Sequence, residues 1–405
     1  MTNQLNYSKL SYDLTKQINK KDKKNNGIYF TPPNTINKNI QLLEPYMKNI
    51  KEVLEPSCGS CEYISRLSKK YNNINITGIE LNKTIFESIK SMEDKNIKLY
   101  NKNYLNYEIN IKYDLIIGNP PYFVMKKKDV DKAYYNYFTG RPNIFIMFII
   151  KSLGLLNKNG ILSFILPKNF LNCLYYNKTR NYINDNFMIL NIAECNDNYI
   201  ETKQETIVII IKNIDKQTEK NSKFCLNIGK FSIFGVPENI LKIKSLYNNS
   251  STLEKLGFNV IVGNIVWNQC KEQLTDDNSK TLLIYSSDIK NKKLSIKKYS
   301  DPYKKNYINK KGTNGPMVVV NRGYGVGNYN FNYYLIKDGF EYLIENHLIC
   351  IKFIKSIRSQ DLIILYKKII KSFENKKTQE FIKLYFGNNA INTTELKSIL
   401  PIYDI

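Results

Sequence analysis

The tetrapeptide Asn119-Pro120-Pro121-Tyr122 follows directly on the apolar run Leu115-Ile-Ile-Gly118. Two successive prolines fix φ and remove two N–H donors. Asn119 is therefore expected at the end of a buried strand, with its side chain and the nearby carbonyls free. That is the carboxyl edge, where open α/β sheets carry their ligands. The Asn119 side-chain oxygen and the Pro120 carbonyl can both accept hydrogen bonds from one exocyclic amino group. Pro121 stiffens the turn, and Tyr122 can stack on the ring that bears the amino group. For the tetrapeptide alone, a turn that merely closes a strand is the plainer alternative.

The elements that must position this tip lie on either side of it. Val53 and Leu54 end a short strand, and Glu55-Pro-Ser-Cys-Gly-Ser60 makes a small-residue turn before a helical face of Tyr63, Ile64 and Leu67. Strand, small-residue loop and helix is the layout of nucleotide-like cofactor sites, where backbone N–H groups meet the ligand. About 20 residues further on, Ile76-Thr-Gly-Ile-Glu80 is a second strand ending in an acid able to accept both hydroxyls of a ribose. Lys98–Leu105 is a third strand and its exit, with Asn103 and Tyr104 at the tip. Upstream, Gly27-Ile-Tyr-Phe-Thr-Pro-Pro33 sets a turn and starts a helix. Downstream, a helix over 143–156 and strands over 160–167, 190–193 and 206–211 continue the alternation, which predicts a doubly wound α/β sheet.

Composition narrows the partners. The chain has 405 residues with 60 Lys plus Arg against 36 Asp plus Glu, a net charge of +24, which points to a polyanion. No apolar run is long enough to span a membrane, so no membrane partner is expected. One histidine, His347, leaves no room for a His-rich metal site, and no metal is expected. Seven scattered cysteines without a secretory signal suggest a reducing intracellular compartment. Cys58-x-x-Cys61 has no second pair to complete a zinc site. Residues 1–26, ending Asn19-Lys-Lys-Asp-Lys-Lys-Asn-Asn26, are expected to be a solvated polar arm.

Beyond about Lys212 the alternation stops, and strands, loops and lysines mix. Lys290–Lys311 holds nine lysines and one acid, with Tyr299, Tyr303 and Tyr307 between them. Such a basic aromatic stretch can track a phosphate backbone, with Lys304, Lys305, Lys310 and Lys311 as anchors. A solvated loop is the alternative. Arg322 opens a glycine-rich loop, Asn321–Gly327, and could read a base edge. Residues 361–405 return to helical spacing.

Tyr29-Phe-Thr-Pro32, Glu55-Pro-Ser-Cys-Gly59, Glu80 and Asn119-Pro-Pro-Tyr122 stand in one order, and in this order the chain resembles the N6-adenine DNA methyltransferases of the gamma arrangement, the Taq-type enzymes. The resemblance covers roughly residues 27–211, with weaker matches at Val262-Gly263 and the Leu400-Pro-Ile402 ending. It implies a methyltransferase domain over 27–214 and a mixed α+β, DNA-binding target-recognition domain over 215–405. It also implies S-adenosylmethionine as cofactor. Tyr29, Thr31 and Pro32 would close over its methionine part. Glu55, Pro56, Ser57, Cys58 and Gly59 would form the cofactor loop, Glu80 the ribose acid, and Asn103 with Tyr104 the pair beside the cofactor adenine. Asn103 stands where members usually carry Asp, and Cys61 where a second loop glycine is usual. The family places an aromatic before the 206–211 strand to stack on an extruded base, and Tyr199 is the candidate here, with Phe187 behind it. Asn119, Pro120, Pro121 and Tyr122 would hold and activate the target amino group.

The resemblance implies double-stranded DNA as partner and leaves room for a companion restriction endonuclease. The stretch before Gly27 is too short for a fused nuclease domain. Two other classes compete. Release-factor glutamine-amide and ribosomal RNA guanine methyltransferases also use Asn-Pro-Pro-Tyr, but generally lack a long basic C-terminal half. A non-enzymatic DNA-binding protein on the same scaffold would not need an intact Asn119–Tyr122.

Overall fold

The structure, a computed structural model, describes residues 7–197, 199–202, 204–214, 221–322, 331–337, 339–386 and 390–404. The chain divides into two compact units, Met1–Ile240 and Leu241–Ile405. The boundary falls later than 214/215, because the hairpin of Cys225–Ile228 and Phe231–Phe234 belongs to the first unit. The fully buried Arg180 ties it there, donating to the carbonyls of Ser232, Phe170 and Cys173.

The first unit is an α/β fold around a seven-stranded sheet. Its strands are β1 (Glu52–Glu55), β2 (Asn75–Glu80), β3 (Ile97–Asn101), β4 (Tyr113–Gly118), β5 (Leu156–Pro167), β6 (Phe187–Cys195) and β7 (Thr206–Asn213), in the order 3-2-1-4-5-7-6. All the strands run in one direction except β7, which lies antiparallel between β5 and β6. The order reverses at β1, so the loops after β1 and β4 flank the switch point where a ligand crevice opens.

Alternate side chains face opposite ways along each strand. Leu54, Ile116 and Leu162 pack on one face with Phe145 and Phe148 of the helix Ile144–Gly154, and Val53, Leu115 and Ile161 pack on the other with Ile36, Ile40, Ile64 and Leu67. Burial on both faces explains why the central strands read as continuous apolar runs rather than alternating ones.

Over residues 7–26 the expected polar arm is structured. Residues 9–26 form two helices, α1 (Lys9–Gln17) and α2 (Lys20–Asn26). Ser8 caps α1 by accepting from Ser11 N, and Asn19 caps α2 by accepting from Asp22 N. Leu10, Leu14 and Ile18 recur at a spacing of four, which aligns them on one helical face. They pack on Ile85, Ile28 and Phe30. A three-residue stripe inside a lysine-rich segment is easily hidden by its composition. α2 ends at Gly27 in the left-handed region, φ +64, the usual conformation of a glycine C-cap.

In the second unit, Phe258–Val262, Leu348–Phe353, Met317–Asn321 and Tyr333–Ile336 form an antiparallel sheet in that order. A second sheet holds Leu274–Thr275, Tyr307–Ile308, Thr281–Ile284 and Tyr342–Ile344. Gly263 lies where a β-carbon would come within 2.2 Å of the Glu345 carbonyl, so this close crossing accepts only glycine. Helices Ser359–Glu374, Lys376–Tyr385 and Thr393–Ser398 follow, and Ile402–Tyr403 pairs back onto Ser250–Ser251.

Candidate active site

The loops leaving β1, β2, β3 and β4 converge on a cavity of about 620 Å³ at the carboxyl edge of the sheet. Of the residues singled out from sequence, Tyr29, Pro56, Ser57, Gly59, Glu80, Asn103, Tyr104, Asn119 and Pro121 line it. Thr31, Pro32, Glu55, Cys58, Pro120, Tyr122 and Tyr199 do not line it.

The loop after β1 is held by backbone bonds. Gly59 adopts φ +50 and donates its N–H to Glu80 Oε2 at 2.9 Å, while Cys58 N–H donates to the Ile79 carbonyl. Cys61 also takes a left-handed φ of 58 as it enters the helix Glu62–Lys70. That costs a non-glycine residue about 1–2 kcal/mol. Its side chain is fully buried in the core and does not enter the cavity. Cys58 turns inward too. Its hydrogen bond with Cys61 and its burial push the thiol well above the ordinary range, leaving it unreactive. Glu55 is likewise a correction to the expected cofactor loop. It is buried beneath the loop against Gly118, with Oε2 lacking a hydrogen-bond partner. Burial, then the nearby Cys61 and Glu80, push its carboxyl well above the usual range.

Of the two glutamates, Glu80 is the one that reaches the cavity, which Asp129 and Asp131 also line. Oε2 accepts from Gly59 N–H and Oε1 from Asn82 N–H at 2.7 Å, leaving each oxygen with further acceptor capacity. Burial raises its pKa above the ordinary 4.5, and the N–H groups of Asn82 and Gly59 oppose the rise.

At the far end, Tyr104 is buried, and its hydroxyl pairs with Ser152 Oγ at 2.8 Å. Lys151 places its ammonium on the carbonyls of Tyr104 (2.6 Å), Leu105 (3.1 Å) and Tyr107 (2.7 Å), and 4.9 Å from the Tyr104 ring centroid. Desolvation pushes its pKa down. The sequence reasoning missed this lysine. Its signal was the single charged residue of the helix Ile144–Gly154. Asn103 spends its amide oxygen on Leu105 N–H, so its Nδ2 is the group left to donate. Ile144, Met147, Phe148 and Val130 supply apolar walls.

At the catalytic tip, Asn119 Nδ2 donates to Thr31 Oγ1 at 3.0 Å and lies 3.4 Å from the Tyr199 hydroxyl. Asn119 Oδ1 faces the Tyr122 hydroxyl at 2.5 Å, and that hydroxyl also has the Ile165 carbonyl at 2.8 Å. Burial, and then Tyr199 and Tyr63, keep the Tyr122 phenol protonated. Tyr199 is buried, and its phenol is also pushed up by desolvation. Phe187 begins β6, at the opposite end of the sheet from this edge, and belongs to the core. Gly27 is a second residue the sequence reasoning left unassigned. A β-carbon there would lie 2.8 Å from Tyr122 N and 3.0 Å from Pro121 Cβ.

The lysines of the second unit separate into two groups. Lys304 is half-buried among aromatic rings, with its ammonium 4.0 Å from the Tyr299 centroid, 4.3 Å from Tyr285 and 5.5 Å from Trp267. Desolvation lowers its pKa, opposed by Glu345, Asp288 and Asp301. Lys305 pairs with Asp276 at 2.5 Å. Neither is arranged as a free phosphate anchor. Lys310 and Lys311 are exposed and, with Lys280, line an open cavity of about 850 Å³ beside Phe340. Arg322 is exposed, and residues 323–327 of its glycine-rich loop lie outside the described residues. Among the described residues no cluster suits a metal ion, and no helix is long and apolar enough to cross a membrane.

Residues 8–200, just under half of the chain, match the model of the Eco57I restriction-modification methylase family. Over its length, the chain is 28% identical across 398 residues to the Type II methyltransferase M.CvrRI of Paramecium bursaria Chlorella virus XZ-6E, covering 97% of this chain and 98% of that protein. It is 26% identical across 410 residues to the modification methylase CviBIII of Paramecium bursaria Chlorella virus NC1A, covering 98% and 99%. Among solved structures, a class I S-adenosylmethionine-dependent methyltransferase of Listeria monocytogenes aligns with a TM-score of 0.43 and 15% identity, over 52% of this chain and 67% of that one.

Proposed function

We propose that the protein is a site-specific DNA methyltransferase that methylates the N6 amino group of adenine in duplex DNA. The observation that carries this is the fixed amide of Asn119 on the cavity wall. With Nδ2 directed at Thr31 and Tyr199, Oδ1 is left as the acceptor. Oδ1 and the Pro120 carbonyl then take the two hydrogens of an amino group, and its lone pair points away from the ring plane. Tyr122 need not move far to release Oδ1, because its hydroxyl retains the Ile165 carbonyl. Its ring is then available to stack on the base, with Tyr199 on the other side. An adenine must leave the duplex to reach this tip.

The cofactor is S-adenosylmethionine, which when bound supplies a methyl group on a sulfonium. The residues present suit it. Glu80 offers both carboxylate oxygens to ribose hydroxyls, Gly59 leaves the loop open, and Tyr104, held by Lys151, walls the base end. No proton has to be taken before transfer, so orientation supplies most of the rate. The second unit contributes the basic surface for the duplex, through Lys280, Lys310 and Lys311, with Arg322 as the candidate base reader. The family name and the viral relatives support a role in modification, with a companion endonuclease as partner.

The test is incubation with methyl-labelled S-adenosylmethionine and, separately, genomic DNA, RNA and a release-factor peptide, followed by nucleoside or peptide mass analysis. Label in N6-methyladenine of DNA is expected. Label in cytosine, in RNA or in a glutamine amide would overturn the substrate assignment.

A further inference from the structure

Lys23 is 5% exposed, although it lies in a stretch whose composition reads as solvated. Its ammonium donates to the Thr15 carbonyl at 2.7 Å and to Glu201 Oε1 at 2.6 Å. A buried ammonium is costly unless it is paired and hydrogen-bonded, so this tie differs from an ordinary surface ion pair. Glu201 stands two residues after Tyr199. A second tie joins the same two segments, since Thr35 Oγ1 donates to Asp197 Oδ2 at 2.6 Å. Between these ties, Thr31 accepts from Asn119, which in turn meets Tyr199.

The chain between Lys23 and Thr35 is also the wall of the cofactor cavity. Gly27, Ile28, Tyr29 and Phe30 line it, and Gly27 abuts the backbone of Tyr122. One wall is thus fastened at both ends to the segment that carries the aromatic beside Asn119. A ligand packed against residues 27–30 restricts that wall, and the two ties pass the restriction to Asp197 and Glu201.

We infer that Lys23 is a positioning residue that couples occupancy of the cofactor cavity to the placement of Tyr199 beside Asn119. The inference rests on the proposed cofactor site. Coupling of this kind is reciprocal, so a base seated at Tyr199 strengthens cofactor binding by the same factor.

The experiment is hydrogen–deuterium exchange of the full chain with and without S-adenosylhomocysteine, with binding measured in parallel by calorimetry. In the wild type, the ligand slows exchange of the 199–202 amides. Lys23→Met keeps the apolar stem and removes the ammonium. Glu201→Gln leaves Lys23 with Thr15 alone, on a side chain that is one-third exposed and tolerant of change. Both variants are expected to bind the ligand within a few-fold and to lose the slowing at 199–202. Slowing that persists in the variants at equal saturation overturns the coupling, as does its absence in a wild type that binds. If calorimetry finds no binding to the wild type, the cofactor reading fails first and the coupling falls with it. If Lys23→Met does not fold, Glu201→Gln decides alone.

Discussion

The carboxyl edge of the first unit's sheet and the lysine-rich stretch of the second unit use polar groups in opposite ways. At the edge, each candidate group is fixed by partners before any ligand arrives: Glu80 by two backbone N–H groups, Asn119 by Thr31 and Tyr199, the Tyr104 loop by Lys151. Such preorganisation suits chemistry that depends on orientation. In the stretch 290–311 the fixed lysines are the ones withdrawn from use. Lys304 is caged by rings and Lys305 is paired, while Lys310 and Lys311 stay exposed. Fixation marks function where a cavity is waiting and marks packing where none is.

The largest expected effect lies at the edge. Asn119→Ala should abolish methyl transfer while leaving S-adenosylhomocysteine affinity within several-fold, because Glu80 and the Tyr104 loop hold the cofactor end independently. Single-turnover assays beside calorimetry separate the two. Parallel loss of both would mean that Asn119 organises the whole cavity.

Next comes Glu80→Ala, which should weaken S-adenosylhomocysteine binding by roughly 1–3 kcal/mol, the range for a lost charge-assisted hydrogen bond. The same residue gives a pH dependence. Ribose hydroxyls donate to the ionised carboxylate, so binding is strongest above the free protein's Glu80 pKa and weakens as pH falls through it. Burial has raised that pKa above 4.5, so the decline begins at a higher pH than for an ordinary glutamate. Glu80→Gln should flatten the calorimetric pH profile. A decline that survives the substitution assigns the titration to another group.

Legibility from sequence followed the same division. The sheet strands were readable because each is a short apolar run that ends in a polar tip, and the tips are where the cavity forms. Gly59, Glu80 and Asn119 could be placed by order alone. What escaped were contacts between segments distant in sequence. The stripe of Leu10, Leu14 and Ile18 has meaning only against Ile85 and Phe30. The lysines at 23 and 151 are recognisable as structural only once Glu201 and the Tyr104 carbonyl are beside them. Glu55 and Cys58 were assigned to the cofactor because they belong to the right loop, yet a loop shows alternate side chains to the ligand and to the core. In the second unit, charge density in sequence gave no hint that Tyr285 and Tyr299 would enclose Lys304.

A smaller effect tests that enclosure. Lys304→Ala removes a cation held against three rings and should lower the melting temperature, with a loss on the order of 1–2 kcal/mol. Lys304→Met, which refills the space among Trp267, Tyr285 and Tyr299, should recover much of it. Equal melting temperatures for wild type and Lys304→Ala would mean that the ring contacts carry no stability.

The last prediction asks which lysines meet the duplex, and its effect per residue is the smallest. Each phosphate neutralised contributes about 0.9 to the slope of log affinity against log salt. Lys280, Lys310 and Lys311 line one open cavity and are exposed. Replacing all three by Ala should lower the slope by up to about 2.7 and weaken every duplex alike, since phosphate contacts carry no sequence information. Lys304→Ala should leave the slope unchanged, because its ammonium is already committed to the rings. Fluorescence anisotropy with unrelated duplexes across a salt series measures both. If the triple variant keeps the wild-type slope while Lys304→Ala lowers it, the cage opens on binding, and the enclosed lysine rather than the exposed trio is the one that reaches phosphate.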